Sequence, residues 1–326
     1  MHNTPDFEFA VAAVREASLL ARRIQRELVT PAITKDDRSP VTVADFAVQA
    51  LVARRLAERL PGATLIGEES ADALRLAEGV AALDQVTQFV RTAVPDATPE
   101  EVCGLVDRGS GDPPAEFWTL DPIDGTKGFL RREQYAVALA LVRGGRVELG
   151  VLGCPELDGA SRPGTTGSLV AAVRGRGTRF RPLDGNGEWR PLCVSDRSAV
   201  AEARILRSVE KSHTNVDEIG RLAESLGITA APVALDSQAK YAVLAAGAGD
   251  VLLRLISPKA PDYKEKIWDQ AAGSLVISEA GGRVSDLDGR DLDFSHGRTL
   301  ATNRGILATN GRLHKAVLTG LRAIGA

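Results

Sequence analysis

The stretch Phe117-Trp118-Thr119-Leu120-Asp121-Pro122-Ile123-Asp124-Gly125-Thr126-Lys127-Gly128-Phe129 decides how this chain is read. Phe117 to Leu120 has the apolar, aromatic and β-branched makeup of a buried strand, and Pro122 and Gly125 punctuate its end. Two carboxylates three residues apart therefore stand where a buried strand runs into a turn. In a low-dielectric setting Asp121 and Asp124 repel each other and need a cation. Hard oxygen ligands with no Cys or His beside them point to Mg²⁺ rather than zinc. Gly125 permits close backbone approach, so the N–H groups of Gly125 and Thr126 can hold a phosphate oxygen. A lone D-x-x-D is commonly an Asx-type turn with two solvated acids, and taken alone this segment is better read that way.

Composition narrows the classes. A chain of 326 residues can bury one large core or two packed ones. Its 44% hydrophobic and 25% charged residues are ordinary for a soluble enzyme. A net charge of −3 and no dense Lys/Arg tract argue against a nucleic-acid polymer as partner. An anionic small molecule stays compatible, because metal ions can supply positive charge locally. Cys103, Cys154 and Cys193 are few, odd in number and far apart, so reduced thiols are expected rather than a disulfide frame or a zinc site. Residues 1–10 carry Asp6 and Glu8 and no basic segment followed by an apolar run, so no secretory signal is expected. The longest apolar stretches, such as 135–142, are too short to span a bilayer, and the cytoplasm is the expected location.

Apolar positions at Phe7, Val11, Val14, Ala17, Leu20, Ala21 and Ile24 predict an amphipathic helix over 6–28. After a polar loop, Asp45 is expected to open a second helix running to about Leu60, where Pro61-Gly62 stops it. A strand over 63–66 then leads into Gly67-Glu68-Glu69-Ser70, and 72–107 has a helical pattern. Gly144-Gly145 between β-rich runs at 135–142 and 146–154 marks a hairpin. Past Val194-Ser195-Asp196 the pattern alternates: strands at 205–209, 231–235, 250–255 and 282–286, and helices at 216–226, 237–246 and 266–281. The first half thus reads as α+β and the second as α/β, with a boundary near 196 separating domains 1–196 and 197–326.

Other acids stand at element ends. Glu68 and Glu69 follow a strand, Asp45 starts a helix, and Asp269 lies in Ile267-Trp268-Asp269-Gln270-Ala271-Ala272-Gly273. Each alone reads as a cap or surface acid. Together they supply the carboxylates of a paired-metal phosphoryl-transfer site, although spacing does not bring them together in space. The run from Asp286 to Asp291 starts like a calcium loop, but its twelfth position is Gly297, so a hairpin turn is expected.

The motifs GEES (67–70), DPIDGT (121–126) and WDQAAG (268–273), in this order and at these separations, resemble the lithium-sensitive, magnesium-dependent phosphatase superfamily that includes inositol monophosphatase. Within it the chain is most similar to the 3′(2′),5′-bisphosphate nucleotidases, through SPVTVADFAVQA (39–50), FWTLDPIDGTKGFLRREQYAVALALV (117–142), SVEKSH (208–213), DSQAKY (236–241) and EKIWDQAAG (265–273). The resemblance covers nearly the whole chain. It implies an α/β (α+β) fold, an inositol-monophosphatase-like αβαβα layered sandwich with the active site between its halves. Glu68, Asp121, Asp124, Asp269 and the Ile123 carbonyl would bind two or three Mg²⁺ ions, with Asp45 and Thr126 activating the attacking water. Gly125 and Thr126 would touch the substrate phosphate; His213, Ser237, Lys240, Arg254 and Asp269 would contact the nucleotide. Taken without that context, Lys240, Arg254 and His213 read as an exposed lysine, a snorkelling arginine and a surface histidine. The implied reaction is removal of the 3′-phosphate from adenosine 3′,5′-bisphosphate and its sulfated form, in sulfur assimilation. The partner is then a small nucleotide and not a membrane, and a monomer is slightly favoured. Two alternatives accompany this reading: a phosphatase for inositol phosphates or other sugar phosphates, and a non-catalytic nucleotide sensor.

Overall fold

Thr4 begins the first ordered element by accepting a hydrogen bond from the Phe7 N–H at 3.3 Å. The resulting helix α1 (Pro5–Glu27) buries the expected stripe from Phe7 to Ile24. The computed structural model of the protein describes residues 4–27, 33–34, 40–185, 187–209 and 216–326. A short pair, β1 (Ile33–Thr34) and β2 (Pro40–Val41), precedes α2 (Val43–Arg59). Thr42 caps α2 and forms a capping box with Asp45, which is therefore the third helical residue and not the first. Next come β3 (Leu65–Gly67) and α3 (Asp72–Arg75), α4 (Val80–Arg91) and α5 (Pro99–Asp107), which fill the helical stretch expected over 72–107.

The central strand is β4 (Glu116–Asp124), followed by α6 (Thr126–Arg131) and the hairpin of β5 (Ala136–Arg143) and β6 (Arg146–Cys154). Gly144 and Gly145 both hold positive φ, as a tight two-residue hairpin turn requires. A small pair, β7 (Leu157–Asp158) and β8 (Arg162–Pro163), leads to β9 (Ser168–Val173), β10 (Thr178–Pro182) and β11 (Arg190–Leu192). The remainder is β12 (Ile205–Arg207), α7 (Val216–Ser225), β13 (Val233–Ala234), α8 (Ala239–Ala245), β14 (Val251–Arg254), α9 (Ala271–Glu279), β15 (Arg283–Ser285), β16 (Ile306–Thr309) and α10 (His314–Ile324).

These strands form a seven-stranded sheet in the order β11-β10-β9-β6-β5-β4-β3 and a five-stranded sheet in the order β13-β12-β14-β16-β15. Side-chain alternation sorts each sheet into two faces. On β5, Val137, Leu139 and Leu141 join the core beneath α1 and α2, while Ala136, Ala138, Ala140 and Val142 face a second core shared with α8, α9 and the five-stranded sheet. The inner face is built of small residues because α9 lies close to it: a Cβ at Gly150 would fall 2.8 Å from the Ala272 carbonyl. On the second sheet Leu206, Leu252 and Ala308 point into that shared core, while Ile205, Val251, Leu253 and Leu307 point outward to α7 and α10. The order of layers is thus αβαβα. Among the described residues no helix is long and apolar enough to cross a membrane.

Two further local expectations change. The helix expected over 266–281 begins only at Ala271. Lys266 instead bridges Thr299, and the Ile267 N–H donates to the Arg298 carbonyl, so this segment spends its backbone groups on a neighbouring loop. Asp269 consequently stands two residues before the helix. The strand expected to end near Leu120 continues to Asp124, for a reason that bears on the site. The turn expected over 286–291 is present, the Asp286 carboxylate accepting from the Asp288 and Arg290 N–H groups.

Candidate active site

In a regular strand Asp121 and Asp124 would point to opposite faces. Here Asp121 pairs with Ala138 and Asp124 with Ala136, so three steps along β4 match two along β5. That is a β-bulge, at Pro122, which has no N–H to give to a ladder. Its effect is read from the packing: Trp118, Leu120 and Ile123 all enter the core beneath α1 and α2, whereas Phe117 enters the inner core. The bulge therefore turns Ile123 to the α1/α2 side and leaves both carboxylates available to the inner side, between the sheets.

There they meet acids from other elements. Burial pushes the Asp121 carboxyl well above its usual range, and the negative charges of Glu68, Asp124, Asp269 and Asp45 add to that push. Asp269 is raised well above the usual range by burial; Arg254 opposes this, while Asp124, Glu265 and Glu68 reinforce it. Asp124 is also raised by burial, with Lys240, Arg254 and the Gln238 N–H pulling it back. Asp121 thus feels the charge of four other acids, three of them distant in sequence. Among the described residues no three acid, His or Cys side chains stand gathered into a single coordination shell. The donor set nevertheless fits a hard divalent cation: it is all oxygen, and the Asp121 Oδ1 is buried without a hydrogen-bond partner.

The predicted catalytic pair is placed as follows. Asp45 is 1% exposed, and its Oδ2 accepts from both the N–H and the hydroxyl of Thr42 at 2.7 Å. Thr126 opens α6 directly after Gly125, and its hydroxyl donates to the Ile123 carbonyl at 3.2 Å rather than to Asp45. Gly125 has φ 84°, and a Cβ there would come within 2.8 Å of the Ser237 Cβ. This contact requires glycine and brings Ser237 against the turn. Ser237 itself holds φ 65°, a strained left-handed conformation. Glu68 follows β3, its N–H donating to the Leu120 carbonyl.

The cations lie on the second half. Lys240 is 5% exposed, donates to the Leu235 carbonyl at 3.2 Å, and is pushed down to about 8 by burial, with Asp124 partly restoring it. Arg254 at the end of β14 pairs with Glu265 at 2.9 Å and with Asp269 at 3.4 Å. Burial works against its charge, but Glu265 and Asp269 outweigh it and hold the guanidinium protonated. Lys240 is buried and the Arg254 side chain is 18% exposed, so neither is the exposed lysine or snorkelling arginine that isolated residues suggest. His213 lies outside the described residues.

Gln238 is a site residue that the motifs contained but did not single out. Its N–H donates to Asp124 Oδ2 at 2.5 Å, its side-chain amide donates to the Trp268 carbonyl at 3.0 Å, and its amide oxygen accepts from the Gly273 N–H at 3.1 Å. One residue, through its backbone N–H and its side-chain amide, thus ties the Asp124 turn to the segment carrying Asp269. Arg131 of α6 reinforces the junction through an ion pair with Asp236.

A family model for the inositol monophosphatase family matches residues 2–326. A 3′(2′),5′-bisphosphate nucleotidase of Emericella nidulans is 38% identical over 344 residues, covering 97% of each chain. One of Oryza sativa is 40% identical, covering 96% of this chain and 92% of that protein. Among solved structures, the IMPase of Thermotoga maritima superposes with a TM-score of 0.70 at 21% identity, covering 99% of this chain and 98% of that one. With the layered fold, the ordered motifs and the full-length matches in agreement, this chain belongs to the inositol monophosphatase family.

Proposed function

We propose that the chain is a Mg²⁺-dependent phosphatase that hydrolyses the 3′-phosphate of adenosine 3′,5′-bisphosphate, and of 3′-phosphoadenylyl sulfate, to AMP or adenylyl sulfate and phosphate. The observation that carries this reading is the shared wall of two charge clusters: Asp124 belongs to the acids and also faces Lys240 and Arg254. The acids suit divalent ions, and the buried Lys240 with the partly exposed Arg254 suits a second phosphate. An inositol monophosphate carries no second phosphate for them to meet. The nucleotidases similar over the full chain support the same substrate.

Glu68, Asp121, Asp124, Asp269 and the Ile123 carbonyl would hold Mg²⁺, which when bound lowers the pKa of water and neutralises charge on the phosphate and leaving oxygen. The rest falls to the chain itself. Asp45, oriented by Thr42, takes the proton of the attacking water by way of the Thr126 hydroxyl. The N–H groups of Gly125 and Thr126 hold an oxygen of the scissile phosphate. Water attacks phosphorus in line, the P–O3′ bond breaks, and the ribose oxygen leaves without a covalent enzyme intermediate. Ser237, Lys240, Arg254 and Asp269 position the nucleoside and its 5′-phosphate, and His213 stacks on the purine. A cytoplasmic monomer acting on a small nucleotide completes the reading.

Asp45→Asn keeps an oxygen for the capping box and removes the base. Turnover should fall by about a hundredfold or more, with AMP affinity held within about twofold. Near-normal turnover would remove Asp45 from water activation.

A further inference from the structure

Arg298 lies in the loop between β15 and β16, yet its guanidinium reaches across to the first half of the chain. Nη1 donates to the carbonyls of Gly109 at 2.8 Å and Gly111 at 3.0 Å, and Nη2 donates to the Gly67 carbonyl at 2.5 Å. The face of the same group lies 4.8 Å from the centroid of the Trp268 ring. Gly67 immediately precedes Glu68, and Trp268 immediately precedes Asp269. One planar cation is therefore bonded to the residue before an acid from the first half and stacked on the residue before an acid from the second.

The loop it grips is otherwise held from the opposite side. The Gly67 N–H donates to the Gly109 carbonyl at 2.9 Å. The buried Gln49 amide donates to Glu69 O at 2.7 Å and accepts from Glu69 N at 3.0 Å. A Cβ at Gly67 would lie 2.4 Å from the Gln49 Oε1, so the glycine has no room on that side. Burial lowers the proton affinity of Arg298, with the Asp112 carboxylate opposing that shift. A guanidinium placed on three carbonyls and a ring, at that electrostatic cost, acts through geometry. Lysine, with a single point charge, cannot reproduce the fork.

We propose that Arg298 is a positioning residue that sets Glu68 relative to Asp269 across the two sheets, and so assembles the divalent-ion site from its two halves. This rests on the reading of Glu68, Asp121 and Asp269 as metal ligands. A clamp that served stability alone would leave ion affinity untouched.

The test is Mn²⁺ binding to the full chain, followed by electron paramagnetic resonance, in the wild type and in Asp121→Asn, Arg298→Lys and Arg298→Met. AMP affinity is measured alongside by calorimetry without metal. Arg298→Met should weaken Mn²⁺ by about ten- to a hundredfold, as loss of a supporting partner does at metal sites, with AMP affinity unchanged within about twofold. Arg298→Lys should fall between it and the wild type, and it carries the test if the Met variant does not fold. Wild-type Mn²⁺ affinity in both Arg298 variants would overturn the proposal, as would equal losses of Mn²⁺ and AMP, which signal general loosening. If the wild type holds no Mn²⁺ that Asp121→Asn removes, the metal-ligand reading itself fails and the proposal with it.

Discussion

Lys240 sits in α8 with its ammonium against the Leu235 carbonyl and facing Asp124, and almost none of it reaches solvent. Burying an ammonium is costly, and a second substrate phosphate would meet it already desolvated. Lys240→Ala should therefore raise KM for adenosine 3′,5′-bisphosphate by about tenfold or more while inositol 1-phosphate is affected far less. Equal losses on both would mean that Lys240 does not read the second phosphate. The ordered motifs, and not the residue types alone, made Asp121, Asp124, Glu68, Asp269, Lys240 and Arg254 legible as candidates, since each taken singly reads as a cap, a surface acid or an exposed cation. Gln238 and Arg298 were not, since an amide or a guanidinium becomes a site residue only through what it touches. Gln238 bonds across 35 residues and Arg298 across 231.

At the scale of elements, β4 and α2 do most to aim the site. The hairpin at Gly144-Gly145, the first helix and the helical stretch over 72–107 could all be read from periodicity and turn chemistry. The bulge at Pro122 could not: it is defined by the register with β5, which no single segment carries. The late start of α9 was hidden for the same reason, because the backbone of 266–267 is recruited by the loop at 298–299. The capping box at Thr42 joins local structure to chemistry, since the carboxylate that completes it is the proposed base. Thr42→Ala should cost about 1 kcal/mol of stability, seen as a lower denaturant midpoint, and also reduce turnover as Asp45 loses its orientation. A stability loss with undiminished turnover would separate the cap from catalysis.

For the molecule as a whole, the two sheets divide the chain between Leu192 and Ile205, while α8 and α9 pack into a core that both sheets line. The candidate site draws on elements of both sheets' surroundings, so its integrity follows that of the complete fold. A buried group on α10 gives this fold a pH signature. His314 is hydrogen-bonded to Ser285 at 2.9 Å and Thr309 at 3.0 Å, and burial pushes it down to about 4, with Arg283 adding to the shift. Between its ordinary value near 6.5 and about 4, the unfolded chain binds a proton that the folded chain refuses. This contribution to stability is therefore complete above about 6.5 and is lost progressively as the pH falls toward about 4. Urea midpoints at about pH 7 and about pH 5 should show a smaller drop for His314→Gln than for the wild type, and an identical drop would exclude His314 as its source.

The central claim is that a divalent-ion site and a second-phosphate pocket share one wall around Asp124. The most direct measurement is phosphate release with Mg²⁺ from adenosine 3′,5′-bisphosphate beside inositol 1-phosphate, each with and without lithium. Strong preference for the bisphosphate, requiring Mg²⁺ and inhibited by lithium, is the predicted result. Equal or greater turnover of inositol 1-phosphate would contradict it, leaving Lys240 and Arg254 as structural cations beside a working metal site.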